Sequence, residues 1–580
     1  MFMGFALSNV FYKVIIMNIV GIDLGTTNSL ISYFKDGKSQ IIKNVHNERL
    51  TPSVVSVLEN GEIIIGQAAK ERLYTHPHLT AAAFKRFMGT KKKYTLGKYT
   101  FTPVELSSLV LKSLKADAEV ALGECIEEAV ISVPAYFNEQ QRRATKQAGE
   151  LAGLRVERLI SEPTAVALAY GLHENNGDCQ FLVFDLGGGT FDVSVVELFD
   201  NILEVKAVAG DNFLGGEDFD QAITDYFIQN QQLQNYLDAK GQSIIKEKAE
   251  AVKCKLSSCK TAEMNVVLGD MLYTTTLTRT ILKEIFEPIF LRLRQPIMRA
   301  LHDAKLTTTD LSHVILAGGS SRMPSIRTYV TRMFERLPMD SIDPDEAIVL
   351  GAGVAAALKE RNQDLSERRM TDVCPYTLGT DIVEDNQFGS LQTNIYQPII
   401  ERNTVIPCSR VVRLYNAVDN QRKMNIKIYQ GENRQADQNL KLGELNINIP
   451  PKPKWQSAVD IRYTYDVNGL LEVEVTSLDT GQTKRQIIVN SENQLTPEEI
   501  NACFKRLASL KIHPREKDEN RLLLARAGRL YEEFLGEMRT IIDRQTILFE
   551  AVLDKQDLFL IEEAAKEFSA FLDEIEGVMY

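Results

Sequence analysis

No segment of this chain is biased in composition, and none carries a basic stripe. With a net charge of −12, that argues against a general nucleic-acid binder, which needs a positive face to meet phosphate. No C-x-x-C occurs, and the seven cysteines are scattered and odd in number. This usage fits reduced thiols in a cytoplasmic protein better than a disulfide framework or a zinc site. Cys254 and Cys259, the nearest pair, read as helix residues without a metal; His76 and His78 flank a proline with no acidic or cysteine companion and read as loop histidines. Past the first residues no run is long and apolar enough to span a bilayer. The opening "MFMGFALSNVFYKVIIMNIVGIDLG" has the apolar look of a signal peptide. Yet no charge precedes its apolar run, Lys13 interrupts it, and no clear small-residue cleavage site follows. Met17 makes a natural start, so residues 1–16 are expected to be an over-long start or a disordered extension.

What is present is ordinary globular composition, 44% hydrophobic and 25% charged, over a length that suggests about three or four domains. From Met17 to about Arg361, short apolar strands alternate with helical stretches, as in α/β domains. "GAGVAAALKERNQDLSERRM", Gly351 to Met370, ends a small-residue helix in a charged run that reads as a linker. After Asp372 the period becomes two, as in "VVRLYNAVDNQRKMNIKIYQGE", with turn chemistry at Asn468-Gly469 and Thr480-Gly481. At Thr496-Pro497-Glu498-Glu499 a capping box with proline at the first helical position opens a polar helical region that runs to Tyr580. The order is α/β, charged linker, β sandwich, helices.

Chemistry enters through a repeated hairpin. "IVGIDLGTTNSLISYF" and "FLVFDLGGGTFDVSVVEL" share one plan: apolar strand, Asp-Leu-Gly, threonine, apolar strand. Glycine turns expose successive main-chain N–H groups to an anion, and Thr26, Thr27 and Thr190 can add hydroxyl donors for phosphate. Asp23 and Asp185, with Asp192 joining them, can then hold the water shell of a magnesium ion beside a polyphosphate. A pair of aspartates that merely cap their own turns would leave Gly187-Gly188-Gly189 unexplained. "VILAGGSSRMPSI" adds a third strand–glycine–helix start at Gly318-Gly319-Ser320, a geometry that suits a nucleotide. Glu250, Lys253 and Ser257 share one helix face, either as a solvated face or as a fourth wall of the same pocket.

The set resembles the DnaK-type chaperones, the seventy-kilodalton heat-shock family. "GIDLGTTNS", "VPAYFNEQQRRATKQAG", "EPTAVALAYGL", "FDLGGGTFDVSVV", "LGGEDFD" and "DPDEAIVLGAG" occur in that family's order, from Met17 to about residue 510. The resemblance implies a multidomain chain: a two-lobed α/β actin-like (ribonuclease H-type) ATPase domain over 17–363, a linker over 364–372, a β-sandwich peptide-binding domain over 373–492 and a short α-helical lid over 493–580. It implies ATP or ADP, Mg2+ and K+ as cofactors. It implies unfolded or specific client polypeptides, a J-domain co-chaperone and a nucleotide exchange factor as partners, with no nucleic acid and no membrane.

Residue by residue, the resemblance makes Lys85 the group that orients the attacking water, with Asp23, Glu162, Asp185 and Thr190 around it. Asp23, Asp185 and Asp192 are the magnesium acids, acting mainly through water. The nucleotide contacts are Gly25, Thr26, Thr27, Gly187, Gly188, Gly189, Gly216, Glu217, Glu250, Lys253, Ser257, Gly318, Gly319, Ser320, Arg322 and Asp345. Cys254 stands where some members stack an arginine on adenine, which loosens the packing there. Pro134, Arg142 and Asp372 belong to the switch between domains. Leu414, Ala417, Gln421, Met424 and Ile426 match strand positions that line the peptide groove, and Ile382 and Val383 its facing loop; plain strand core is the competing reading, above all for Ile426. Met424, longer than the usual valine, makes the central pocket shallower or more adaptable.

Three departures stand out. The family linker is a run of leucines before an aspartate, whereas Arg368-Arg369-Met370-Thr371 precede Asp372 here, which predicts weaker docking of that strand. The region between Asp381 and Ile400 is longer than usual, and the helical part stops at Tyr580 without a long lid or an E-E-V-D ending. Together these resemble the shorter bacterial HscC-like branch. The function implied is an ATP-dependent chaperone; the rivals are a small-molecule kinase of the same fold and a nucleotide-regulated peptide scaffold with weak coupling between domains.

Overall fold

The computed structural model describes residues 19–171, 179–199, 202–234, 237–269, 271–359, 369–385, 391–466, 469–488, 518–534, 536–555 and 558–578. Residues 1–16, the linker positions 364–368 and the capping box at Thr496 and Glu499 lie outside them. Among the described residues no helix is long and apolar enough to cross a membrane.

Two sheets built on one plan form the α/β part. In the first, strands Arg155–Ser161, Glu128–Val133 and Ile19–Asp23 run parallel, and Ile19–Asp23 continues by hairpins into Asn28–Lys35 and Lys38–Ile42. In the second, His313–Ala317 runs parallel to Cys179–Leu186, which continues by hairpins into Phe191–Phe199 and Ile202–Asp211. The central strands are mostly apolar and mostly buried, as parallel-type strands covered by helices must be. Each hairpin tip therefore falls at the same end of its sheet, and each begins with an aspartate: Asp23 and Asp185.

The small-residue helix Ala347–Lys359 lies between the sheets against helix Glu162–Gly171. Gly351 makes that approach possible: a Cβ there would sit 1.7 Å from the Ala165 carbonyl oxygen. Helix Glu139–Leu151 starts where Asn138 and Gln141 form a reciprocal capping box, which satisfies two N–H groups that a helix start would leave open.

The β part is two four-stranded antiparallel sheets. One orders Leu391–Ile400, Leu378–Asp385, Lys423–Gln430 and Leu440–Asn448; the other orders Cys408–Tyr415, Ala458–Tyr465, Leu471–Ser477 and Thr483–Ile487. Period-two alternation sends Ile428, Val459, Ile461, Tyr463, Val473 and Val475 into a shared core. Tyr463 crosses it, its hydroxyl donating to the Gly379 carbonyl at 2.8 Å. Helices Asp518–Glu533, Glu537–Lys555 and Leu558–Val578 pack around Leu530, Ile542, Leu553 and Leu572.

The strand Arg369–Val373 joins the two parts. It pairs parallel to Ile202–Asp211, with Leu203 opposite Met370, and antiparallel to Val405–Ile406, with Asp372 opposite Ile406. One hydrogen-bonded sheet thus runs from the α/β part into the β part. The polar composition of this segment predicts weaker docking, yet the strand is docked. Main-chain groups make a ladder, and they are the same whatever side chains they carry. Ile382 and Val383, expected in a loop, lie in strand Leu378–Asp385, where the register shifts between Ile382 and Glu384.

Candidate functional site

The two hairpin tips face each other across a cavity of about 700 Å3. Gly187 N–H donates to the Thr190 carbonyl at 3.1 Å and closes the second turn, while the Gly187 and Gly188 carbonyls accept from Gly216 and Glu217, each at 2.9 Å. Gly188 lies directly against Thr27: a Cβ added to it would be 1.9 Å from the Thr27 hydroxyl. Glycine here is a requirement of two turns from different sheets meeting.

Behind the turns sit the acids. Asp23 accepts from the Ser132 hydroxyl at 2.7 Å. Asp185 stands opposite Asp192 in the hairpin register, and its Oδ2 is buried without a hydrogen-bond partner. Asp192 accepts from the Tyr136 N–H at 3.2 Å. Burial first, then the Glu162 charge, pushes Asp23 up to about 6 and Asp192 up to about 8, and the same two causes with Asp192 added push Asp185 well above the carboxylate range. Carboxylates so destabilised fit a bound cation. Among the described residues no three of His, Cys, Asp and Glu converge to ligate an ion directly, so the donor set and the open Asp185 oxygen suit magnesium held through water.

Lys85 enters on the short turn Phe84–Phe87 and donates to Glu162 Oε1 at 2.8 Å, with both side chains buried. Burial opposes its charge, but Glu162 and Asp23 outweigh it and hold the ammonium above its ordinary range. Glu162 opens a helix, where the positive end of the dipole favours an acid.

The far wall is helix Ala239–Ser258, which presents Glu250, Lys253 and Ser257 to the cavity. Lys253 is fixed by Asp220 at 2.8 Å and the Gly216 carbonyl at 3.2 Å. Gly318, Gly319, Ser320, Arg322 and Asp345 line the third side, with Arg322 Nε 2.9 Å from Asp345 Oδ2. Of the expected nucleotide residues Gly189 alone stands off the cavity; its carbonyl accepts from Arg86 Nε at 3.0 Å. Asp192 backs the wall without lining it.

Sequence reasoning missed Arg86 and Asp220. Arg86 ties the Gly189 turn to Glu217 at 3.1 Å and Asp218 at 3.0 Å, bridging two lobes. Asp220 ends the quoted LGGEDFD and Arg86 follows Lys85, but nothing in the spacing signals that Asp220 pairs with Lys253 on another helix or that Arg86 meets partners more than a hundred residues away.

Of the residues expected in the switch between domains, Pro134 and Arg142 share one segment and Asp372 lies in the joining strand. Pro134 accepts from Phe137 N–H, and Arg142 donates to the Phe137 and Ala135 carbonyls at 3.3 and 3.4 Å, shaping the segment that carries Tyr136. Tyr136 packs against Tyr376 of the β part with ring centroids 4.3 Å apart and planes tilted by 38°, and the Tyr376 hydroxyl donates to its carbonyl at 2.8 Å. Tyr136 thus touches Asp192 on one side and the β part on the other. Asp372 lies in the joining strand, near half-buried Arg158, whose charge burial disfavours and Asp372 supports.

The expected peptide-groove residues are not all together. Met424 and Ile426 are buried in the sandwich core with Leu414 packed against it. Ala417 N–H donates to Gln421 Oε1 at 2.9 Å, a local bond across the turn. Ile382 and Val383 sit apart from that cluster.

The fold and cavity define a cleft lined by glycine-threonine turns and buried acids between two lobes, joined through a shared strand to a β sandwich. The chain belongs to the Hsp70 family: the family model described as Hsp70 protein matches residues 19–575. Members of this family are ATP-dependent chaperones, ATPases that use magnesium and work on client polypeptides with J-domain and exchange-factor co-chaperones.

Proposed function

We propose that this chain couples ATP hydrolysis in the Asp23–Asp185 cleft to capture and release of short extended apolar peptide segments by the β sandwich. In this reading residues 17–363 hydrolyse ATP, 364–372 link, 373–492 hold peptide and 493–580 form a short lid. The observation that carries it is the buried Lys85–Glu162 pair beside the open Asp185 oxygen, between two glycine-threonine turns.

The main-chain N–H groups of the two turns, with Thr26, Thr27 and Thr190, hold the polyphosphate. Lys85, kept charged and oriented by Glu162, positions the attacking water, and Asp23 and Asp185 accept hydrogen bonds from ordered waters around it. Magnesium held near Asp23 and Asp185, and potassium, would supply charge neutralisation to the polyphosphate when bound. Glu250, Lys253, Ser257 and Arg322 hold the nucleoside end. Tyr136, between Asp192 and Tyr376, carries the state of the cleft to the sandwich. Main-chain pairing along an open sheet edge gives peptide affinity, and the half-buried Leu414 gives preference for apolar side chains, with the buried Met424 behind it. A client polypeptide, a J-domain co-chaperone and an exchange factor complete the cycle, in a cytoplasmic, HscC-like setting.

Two measurements test this. Replacing Lys85 by alanine is expected to abolish hydrolysis while leaving ATP affinity within a few-fold, and unchanged turnover would remove Lys85 from the chemistry. Release of a fluorescent apolar peptide is expected to be much faster with Mg-ATP than with Mg-ADP. Equal rates would leave a peptide scaffold with an uncoupled nucleotide site.

A further inference from the structure

A second cavity, about 940 Å3, opens between the end of helix Ala239–Ser258, helices Arg279–Ile285 and Glu287–Asp303, and the start of helix Pro324–Phe334. It shares Lys253, Ser257 and Met323 with the nucleotide cleft and no other residue, so a thin wall separates the two. Its size is that of a small-molecule site.

The floor is apolar and flat. Leu256, Leu282 and Phe286 are buried beneath it, and Phe290 and Tyr329 stack with centroids 5.0 Å apart and planes 20° apart. The Tyr329 hydroxyl turns away to donate to the Phe290 carbonyl at 3.3 Å. The rim is cationic. Arg279, Lys283, Arg294 and Arg332 stand around the opening against two acids, Glu284 and Glu287. Arg279 spends its hydrogen bonds on the neutral Leu256 and Ser257 carbonyls, and among the described residues Lys283, Arg294 and Arg332 make no ion pair. In a chain of net charge −12, an excess of cations round an apolar slot is not a consequence of composition.

We propose that this cavity binds an amphipathic anion, a flat aryl body carrying a sulfonate, carboxylate or phosphate, and that its occupant shifts nucleotide affinity through the shared wall. The aryl body lies on the Phe290–Tyr329 pair, and the anionic group meets Arg294 and Arg332, whose planar forks match oxyanions. Coupling follows because Lys253 and Ser257 face both cavities, so an occupant of one changes the freedom of side chains that the other uses. Only this coupling rests on the nucleotide reading above; the anion site does not.

The test uses the full chain, saturated with Mg-ADP and an apolar peptide so that cleft and sandwich are filled. Titration with 8-anilinonaphthalene-1-sulfonate is expected to give one saturable fluorescent site. The double variant Arg294→Glu, Arg332→Glu is expected to weaken it at least about tenfold. Thr328→Trp, which fills the cavity from its exposed rim and leaves the charges alone, is expected to remove it. Circular dichroism and melting of both variants are expected to match the parent. Absence of saturable binding, or binding unchanged in both variants, would overturn the site. In peptide-free protein the probe is expected to change the release rate of a fluorescent ADP analogue at least about threefold, and an unchanged rate would overturn the coupling. If the chain bound no nucleotide, the cleft reading would fail separately, and the same titration on the nucleotide-free chain would still decide the anion site.

Discussion

Arg402 holds Asp303 in a two-point fork: Nε donates to Oδ2 and Nη2 to Oδ1, each at 2.8 Å. Asp303 ends helix Glu287–Asp303 of the α/β part, and Arg402 belongs to the β part. A carboxylate at a helix C-terminus opposes the helix dipole, so Asp303 costs its own helix something. Burial would raise its carboxyl, and the Arg402 fork more than offsets that and holds it below the ordinary range. Asn403 adds a bond to Asp303 at 3.0 Å and accepts from the Val208 N–H at 3.0 Å, so the contact is a cluster and not a lone pair.

Truncation of Arg402 to alanine is therefore expected to weaken docking of the two parts. A charged, two-point contact of this kind is worth about 1.5–3 kcal/mol. ATP-triggered peptide release should slow about tenfold, with basal ATP hydrolysis retained. The charge swap Arg402→Asp, Asp303→Arg should restore part of the loss, because the new cation would then suit the helix end. Release kinetics unchanged in Arg402→Ala would show that the fork carries none of the docking energy.

Gly188→Ala tests the meeting of the two turns. The new methyl would stand 1.9 Å from the Thr27 hydroxyl, and the far side of that contact is a turn of the other sheet. The turns must part, and the cradle of N–H groups opens with them. ATP affinity, measured by calorimetry, is expected to fall more than tenfold with the melting temperature nearly unchanged. Affinity within twofold of the parent would mean that the two turns do not hold one ligand between them.

The cleft was legible in the sequence because its parts are local. Asp-Leu-Gly-Thr at a strand end, Gly-Gly-Ser before a helix and a polar helix face each announce themselves within a dozen residues, and the cavity collects them. Arg86 and Asp220 were not legible, since their partners lie across a lobe boundary or on another helix. The linker misled for the opposite reason: the Arg-Arg-Met-Thr side chains suggested poor docking, and the ladder that docks the strand is main chain. In the sandwich, period two located the strands but could not separate groove from core. That division depends on how two sheets pack, and it leaves Met424 and Ile426 buried where an open groove was expected.

The joining strand gives a sharper test of that point. Thr371 stands opposite Glu204 in the parallel ladder, and its hydroxyl is buried without a partner. Thr371→Pro restricts the backbone and removes an N–H from the strand, which a central position does not tolerate. ATP should then no longer accelerate peptide release, while the cleft still binds nucleotide. Thr371→Val keeps the main chain and removes the unsatisfied hydroxyl, so coupling should persist and stability should hold or rise. Loss of coupling in both variants would place the determinant in the side chain and contradict a main-chain ladder.

Docking should also depend on pH, through Glu139. Its side chain is buried between the parts: Arg143 donates to Oε1 at 2.5 Å, Oε2 is without a partner and faces Gly469, and the Glu139 N–H reaches Gln430 at 3.5 Å. Arg142 and Asp466 also bear on it. Burial, against the pull of Arg143, raises its carboxyl from an ordinary 4.5 to about 7. An acid with a raised pKa in the docked state binds its proton more tightly there than when undocked. Its contribution to docking is thus fully present below about pH 4.5 and lost as pH rises through about 7, at up to about 1.4 kcal/mol per pH unit. Energy transfer between dyes on the two parts is expected to fall from pH 5.5 to 7.5 in the parent. Glu139→Gln, which keeps the shape and cannot ionise, should flatten that profile at the docked level. A profile as steep in Glu139→Gln as in the parent would assign the pH dependence to other groups.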